Sequence, residues 1–558
     1  MLKKIFLTLL IGVLLVGIAI GTVLFMPGKD TVDPLTYFSE FKKGQINVVY
    51  EDTRVDVEKP IIEEANQIYV SSEFAKQYID DKIFYDEAEE ILTITNLEEI
   101  KRILPGEKVI DVNGEKIELA DPVIVKENKV YIPESYLEAE YPVEIEKGKD
   151  GRLVIVSNAR TPKKLGVVRK KEASVRTHPD NKSLITDTTQ KGESVVVYKE
   201  TGDHLRVRDE NGIIGYMDRS DVKLEGETSI KEEKTYTLAP MAKPLQDKVK
   251  LVWDQMTVKS TGDWSTPKYR NIKGANVIAP TWFEFEDESG KLIDRASKAY
   301  VNEAHARGMQ VWALMSHNFT SPELTKTILT STAKRQYVID QLLEAADIYG
   351  FDGINIDIEN VQADFGEEWV QFMRELSVQA KRQNLSVTVD VYMPSAWSGH
   401  YSRERVAEVV DYFIVMAYDQ HWGGSEIAGP VAGLTWVEEG IQINLEEVPK
   451  EKLVLGMPTY TRIWKETKDG MSSSAYGMAA AKSIVSKWNS EALYDDQHGQ
   501  NYMQMIDGDT LYQVWIEDAT TIEKRVGLVN KYDLAGYALW KLGLETPDVW
   551  DSLKQMQE

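Results

Sequence analysis

The sequence predicts a multidomain chain that ends in a (β/α)8, or TIM, barrel with a small β-rich insertion. Three observations predict the barrel. From about residue 241 onward, short apolar strand patterns alternate with helical ones over roughly 300 residues. Eight strands are read at 249–256, 275–280, 310–315, 351–359, 385–393, 412–418, 453–458 and 535–540, with helical patterns such as 334–349 and 369–383 between them. All 13 tryptophans lie in this stretch, and Trp282, Trp397, Trp464 and Trp540 fall at or just after strand C-termini, the face where barrel sites form. The span from 458 to 535 is too long for one loop and helix, so the insertion is placed there, at about 492–515.

The fourth strand carries the chemistry. In Phe351-Asp352-Gly353-Ile354-Asn355-Ile356-Asp357-Ile358-Glu359-Asn360 the isoleucines alternate with Gly353, Asn355, Asp357 and Glu359. Period two puts the isoleucines under a hydrophobic cover and an amide with two carboxyls in one row on the other face, alternate residues roughly 6.5–7 Å apart. Acids on a buried face are costly unless paired or used, so the polar row faces a site.

The stretch resembles the family 18 glycoside hydrolase signature D-G-x-D-x-D-x-E, matched by Asp352, Gly353, Asp357 and Glu359, with Asn355 where the family usually has its first aspartate. The likeness extends to Met416-Ala417-Tyr418-Asp419 (the family's M-x-Y-D), to Tyr392-Met393-Pro394, to Tyr460 and Arg462, and to Trp540. The third strand departs from it, ending Leu314-Met315-Ser316-His317-Asn318 and not in S-x-G-G.

The resemblance implies a substrate-assisted retaining hydrolase of β-linked N-acetylglucosamine, in which the substrate's 2-acetamido oxygen attacks the anomeric carbon. It implies Glu359 as general acid and then base, Asp357 as its coupled partner on the acetamido N–H, and Tyr418 on the acetamido oxygen. Asn355 completes the catalytic row. Trp540 is the expected floor under the reacting sugar, and Asp419, Met416, Tyr392, Trp282, Tyr460 and Arg462 are the other expected substrate contacts. His317 and His421 are read as structural or rim residues. The expected substrate is peptidoglycan; chitin is the alternative enzyme reading. A non-catalytic chitinase-like lectin is the other, disfavoured because a lectin does not need Glu359.

Composition narrows the classes. With 65 basic and 90 acidic residues the net charge is −25, which disfavours nucleic acid. There is no cysteine, so disulfides, thiolate metal sites and a cysteine nucleophile are excluded. The seven histidines form no His-Glu-x-x-His, and neither a P-loop nor a dinucleotide fingerprint occurs, so no metal or cofactor is expected.

Ahead of the barrel the sequence reads as four segments. In 1–29, Lys3 and Lys4 precede a charge-free run from Ile5 to Met26, which as a helix of about 33 Å would cross a bilayer. It is expected to be an uncleaved anchor, with the rest of the chain outside the membrane; a secreted or wall-associated protein is the alternative. Residues 35–160 hold an internal repeat: Pro60-Ile61-Ile62, Asn66-Gln67-Ile68-Tyr69-Val70 and Leu92-Thr93-Ile94-Thr95-Asn96 recur 62 positions later. Each copy reads as short strands around one helix, near 71–78 and 134–140. The unit resembles the small α+β repeat domain named after the N-terminal domain of copper amine oxidases; neither copy contains histidine, so nothing supports copper. Residues 164–225 resemble a bacterial SH3-type barrel, with a hairpin at Asn211-Gly212. Residues 226–240 read as a linker, and 241–558 as the catalytic barrel.

Overall fold

The computed structural model describes residues 26–319 and 321–557. They divide into two compact units, one holding the chain to Ile94 and Lys101–Thr235, the other Thr95–Ile100 and the chain from Tyr236 on.

In the first unit the repeat is visible as local symmetry. The helices Ser72–Tyr78 and Glu134–Glu140 stand where the two copies predict them, and the Ser71 hydroxyl caps the first by accepting the Phe74 N–H at 3.2 Å. The strands Gln67–Ser71 and Lys129–Pro133 pair antiparallel with Val70 opposite Ile132 and Tyr69 opposite Pro133. Val70 and Ile132 are equivalent positions of the repeat, so the copies meet about a local two-fold and close one core, which includes Val70, Phe74, Ile132 and Leu137. Strands between Lys164 and Glu227 then form a seven-stranded antiparallel sheet around Val175, Leu205, Val207 and Met217. The expected turn joins His204–Asp209 to Ile214–Asp218, with Gly212 at φ 87°, a region L side chains avoid.

In the second unit eight parallel strands close on themselves: Val249–Asp254, Val277–Phe285, Gln310–Ser316, Gly353–Asp357, Ser386–Tyr392, Tyr412–Met416, Leu453–Pro458 and Gly536–Trp540, the first pairing with both the second and the eighth. All eight expected strands are present. Ile354, Ile356 and Ile358 pack outward into the core under the helices, while the interior holds Leu251, Trp253, Ala279, Trp312, Leu314 and Ile414. Gly350, at φ 79°, ends the helix Thr332–Tyr349 and turns the chain into the fourth strand. Gly353 is required by packing, since a Cβ there would lie 2.8 Å from Trp312 Cδ1 and 2.9 Å from the Ser386 carbonyl oxygen.

The insertion is larger than expected. It is a five-stranded antiparallel sheet that begins at Tyr460–Thr467 and Gly470–Gly477 and ends at Thr510–Ile516, with the helix Met478–Val485 against it. Its first hairpin precedes the stretch that sequence marks.

The expected membrane localisation requires correction. Among the described residues no helix is long and apolar enough to cross a membrane, and the charge-free run that prompted the expectation falls almost entirely on residues 1–25, outside the described residues.

Candidate active site

The site lies at the C-terminal mouth of the barrel, where the fourth strand delivers its polar row. Asn355, deepest in the row, is fully buried. Its amide donates to Thr388 Oγ1 at 3.0 Å and to Asp390 Oδ1 at 2.8 Å, and its oxygen accepts from the Trp253 indole at 3.0 Å. Asn355 therefore positions other groups and does not face substrate, a correction to its expected place among the catalytic contacts. One residue pair up, Asp357 is buried with Oδ1 unpartnered. Burial, then the charges of Glu359 and Asp390, push its carboxyl well above the ordinary range.

Glu359 follows the strand and is half-buried. Burial raises its carboxyl too, against a hydrogen bond donated by the Tyr392 hydroxyl, while Asp419 adds to the rise. Its backbone N–H donates to His317 Nδ1 at 3.1 Å, so the third strand's departure from the family pattern supplies an acceptor that fixes the turn carrying Glu359. Burial lowers the His317 pKa, in keeping with a neutral ring whose Nδ1 accepts.

One hollow opens on this row and a second lies beside it, across Trp540. The first, of about 380 Å³, is lined by Asp357, Glu359, Leu314, Ser316, Arg295 and Trp540. The other, of about 390 Å³, is lined by Asp419, Tyr460, Arg462, Tyr476 and Trp540. Trp540 belongs to both and forms the saddle between them. Tyr460 donates its hydroxyl to Asp419 Oδ1, Arg462 bonds Ser473 at 2.9 Å, and the Tyr418 ring stands edge-on to Tyr460 at 6.4 Å. Burial first, then the acids Asp357, Asp390 and Glu359, push the Tyr418 hydroxyl up, which keeps it a donor.

Sequence-predicted contacts thus divide. Glu359, Asp357, Trp540, Asp419, Tyr460 and Arg462 line the hollows, and Tyr392 reaches Glu359. Met416 is buried at the end of the sixth strand, with the inward parity of Ile414 and Tyr418. Trp282 does not reach the site: it is fully buried and packs on Tyr300 and Phe351 at 5.3 and 6.5 Å, because its parity turns it to the helix layer. Trp464 is likewise fully buried, its indole bonded to the Gly429 carbonyl at 2.8 Å. Trp397 is exposed and stands edge-on to Tyr392 at 5.3 Å. Sequence reasoning missed Asp390. It is a lone acid in the apolar strand Ser386–Tyr392, and its signal was its parity, inward like that of Asn355.

Residues 320–545 match the model of "Glycosyl hydrolases family 18", and residues 49–156 that of the "Copper amine oxidase N-terminal domain"; neither match covers 164–225, so the SH3-type reading goes no further. Glycosylase YvbX of Bacillus subtilis (strain 168) is 26% identical over 315 residues, 53% of this chain and 89% of that protein. The cortical fragment-lytic enzyme of the same organism is 26% identical over 254 residues, 43% of this chain and 58% of the relative. This chain thus spans little more than half of that enzyme. The crystal structures of a chitinase from Chromobacterium violaceum ATCC 12472 and of the Bacillus cereus spore cortex-lytic enzyme SleL share the fold, each at TM-score 0.50. The first has 21% identity and covers 56% of this chain and all of its own; for the second the figures are 18%, 67% and 91%. The protein is a glycoside hydrolase: residues 320–545 of its C-terminal barrel match family 18, and residues 49–156 match the copper amine oxidase N-terminal domain.

Proposed function

We propose that this chain is an exported enzyme that cleaves β-linked N-acetylglucosamine in cell-wall peptidoglycan with retention of configuration. The observation that carries the reading is the pair Asp357 and Glu359, set in one hollow over Trp540, both with carboxyls raised toward the pH at which a proton is held and then given.

Glu359 gives its proton to the glycosidic oxygen as the bond to the anomeric carbon breaks. The 2-acetamido oxygen closes on that carbon from the opposite face, and the leaving sugar departs over the saddle. Asp357 accepts the acetamido N–H, and Tyr418 donates to the acetamido oxygen, so the nucleophile is held in line. Glu359, now a carboxylate, takes a proton from water as the water opens the ring. Trp540 offers its face to the sugar at the point of cleavage, and Asp419 with Tyr460 and Arg462 holds the sugar beyond.

Peptidoglycan is favoured over chitin by the relatives named as cortical fragment-lytic enzymes and by the domains ahead of the barrel, which we read as holding wall polymer. Chitin is the second reading, favoured by plant relatives such as the class V chitinase CHIT5a of Medicago truncatula, 25% identical over 319 residues. Digestion of purified sacculi and of chitin, with mass spectrometry of the released ends, decides between them. New reducing N-acetylglucosamine ends from sacculi support the proposal, and release from chitin only would replace it. Sacculus binding by residues 35–235 tests the holding role.

A further inference from the structure

We propose that Asp390, on the barrel strand beside the one that leads to Glu359, is the proton partner of Asp357, and that Asn355 holds it in that place. The inference rests on the reading of Glu359 as proton donor. The register supplies the neighbourhood: Gly353 lies opposite Ser386 and Asn355 opposite Thr388, so the next inward pair is Asp357 beside Asp390, one strand spacing of about 4.8 Å away.

Asp390 differs from the barrel's other buried acids. Asp254 accepts from Lys268 at 2.5 Å and from two tyrosine hydroxyls. Asp352 accepts from Lys243 at 2.6 Å and His305 at 2.7 Å, and Glu375 is bonded to Arg335 at 3.0 Å. These are struts, each tied to a basic group. Asp390 is 2% exposed and receives the amide of Asn355, with the indole of Trp253 beside it, both neutral. Trp253, Asn355, Asp357, Glu359 and Tyr418 face it, and among the described residues no basic side chain pairs with it. Asp357 has no cation either, and its buried Oδ1 has no partner. Carboxyls buried together without a cation cannot all ionise, so they hold protons between them.

The arrangement gives a balanced cycle. At rest Glu359 carries the proton it will donate, and a second proton lies between Asp357 and Asp390. When the Glu359 O–H bond breaks and the leaving oxygen's O–H bond forms, the Asp357 hydroxyl turns from Asp390 to the new carboxylate. Asp390 is left as the anion, stabilised by Asn355 and Trp253, near the positive charge that the closing acetamido ring develops. When water delivers its proton to Glu359, the Asp357 hydroxyl turns back. Asn355 thus stands where it cannot take the proton, and the acid it replaces sits one strand over.

The test uses the full chain, Asp390→Asn, the exchange variant Asn355→Asp/Asp390→Asn, and 4-methylumbelliferyl di-N-acetylchitobioside. With Asp390→Asn, kcat is expected to fall at least ~10-fold, less than the 10² to 10⁴-fold of full acid–base assistance because Glu359 keeps its proton. KM should stay near wild type, and the alkaline limb should move to lower pH because one negative charge fewer then lies beneath Glu359. The exchange variant should recover most of the loss and the limb, and it serves as the test if Asp390→Asn fails to fold. An unmoved limb, whatever the loss in kcat, would make Asp390 a strut and overturn the proposal. Infrared difference titration of the free protein reads the shared proton without turnover: one carboxyl band should vanish with Asp390→Asn. If that band vanishes but the wild type cleaves no N-acetylglucosaminide, the functional reading fails and this one stands; a spectrum unchanged by the substitution overturns this one.

Discussion

The backbone N–H of Glu359 and Nδ1 of His317 are joined by a hydrogen bond of 3.1 Å. The bond requires an unprotonated Nδ1, and burial lowers the His317 pKa below its ordinary value. A histidine with a depressed folded pKa contributes stability that is present above its unfolded value, about 6.5, and is lost as pH falls through the folded value. Below that window the proton on Nδ1 faces the Glu359 N–H and the turn loosens. His317→Ala leaves a part-buried N–H without its acceptor, at a cost of about 1–3 kcal/mol. We expect kcat to drop roughly tenfold to a hundredfold, since 1.4 kcal/mol is about tenfold. His317→Asn, which keeps an acceptor, should lose less, and steady-state kinetics of the two variants tell them apart.

The acids beneath Glu359 run with the opposite sign. Burial raises the folded pKa values of Asp357 and Asp390, so the native state binds more protons than the unfolded one above the ordinary carboxylate range. Their contribution is fully present below about pH 4 and is lost as pH rises through the folded values. Asp390→Asn removes one buried acid that lacks a cation. Its barrel should be more stable than wild type at pH 7, by about 1 kcal/mol or more, with the difference shrinking toward pH 4. Urea unfolding of the barrel transition at the two pH values measures it; a variant less stable at pH 7 than at pH 4, relative to wild type, contradicts the sign.

Much of this was legible in the sequence because alternation is a property of the chain by itself. The split between Ile354, Ile356 and Ile358 on one side and Asn355, Asp357 and Glu359 on the other follows from period two, and the structure keeps it. Trp282 was misplaced because proximity to a strand end says nothing about the side of the sheet. Its parity, opposite to that of Val277 and Ala279 in the interior, sends it outward. Tyr460 and Arg462 follow the seventh strand as read, but the insertion already begins with them, in its first hairpin. The partnership of Asn355 with Asp390 needs the register between neighbouring strands, which no single strand encodes.

Trp540 is the residue both hollows share. A sugar ring laid on one indole face covers roughly 50 Å², worth about 1.3 kcal/mol at ~25 cal/mol per Å². Trp540→Ala should therefore weaken binding of a tetrasaccharide about tenfold. A monosaccharide, which fills one hollow, should lose no more than this. Isothermal titration calorimetry in the Glu359→Gln background reads both without turnover, and equal affinities in the presence and absence of the ring would remove Trp540 from the floor.

Glu359 itself gives the sharpest test. Glu359→Gln keeps the shape and the hydrogen bond from Tyr392 but removes the proton. General acid–base assistance is worth typically 10² to 10⁴-fold, roughly 3–5.5 kcal/mol of barrier. The variant should lose at least that factor in kcat while still binding glycan. Asp357→Asn and Tyr418→Phe act on one acetamido group, so each should lose less, and the double variant should lose less than the product of the two. A thiazoline mimic of the cyclised intermediate should inhibit the wild type, and a substrate without the 2-acetamido group should not turn over. Near-wild-type hydrolysis by Glu359→Gln would remove Glu359 from the role. Rapid turnover of a glucoside lacking the acetamide would leave Glu359 its proton but require another nucleophile. The first hollow holds one further acid, Glu284, which is tied to Arg295 at 3.0 Å, so that nucleophile would be Asp357, whose unpartnered Oδ1 would then face the anomeric carbon instead of the acetamido N–H.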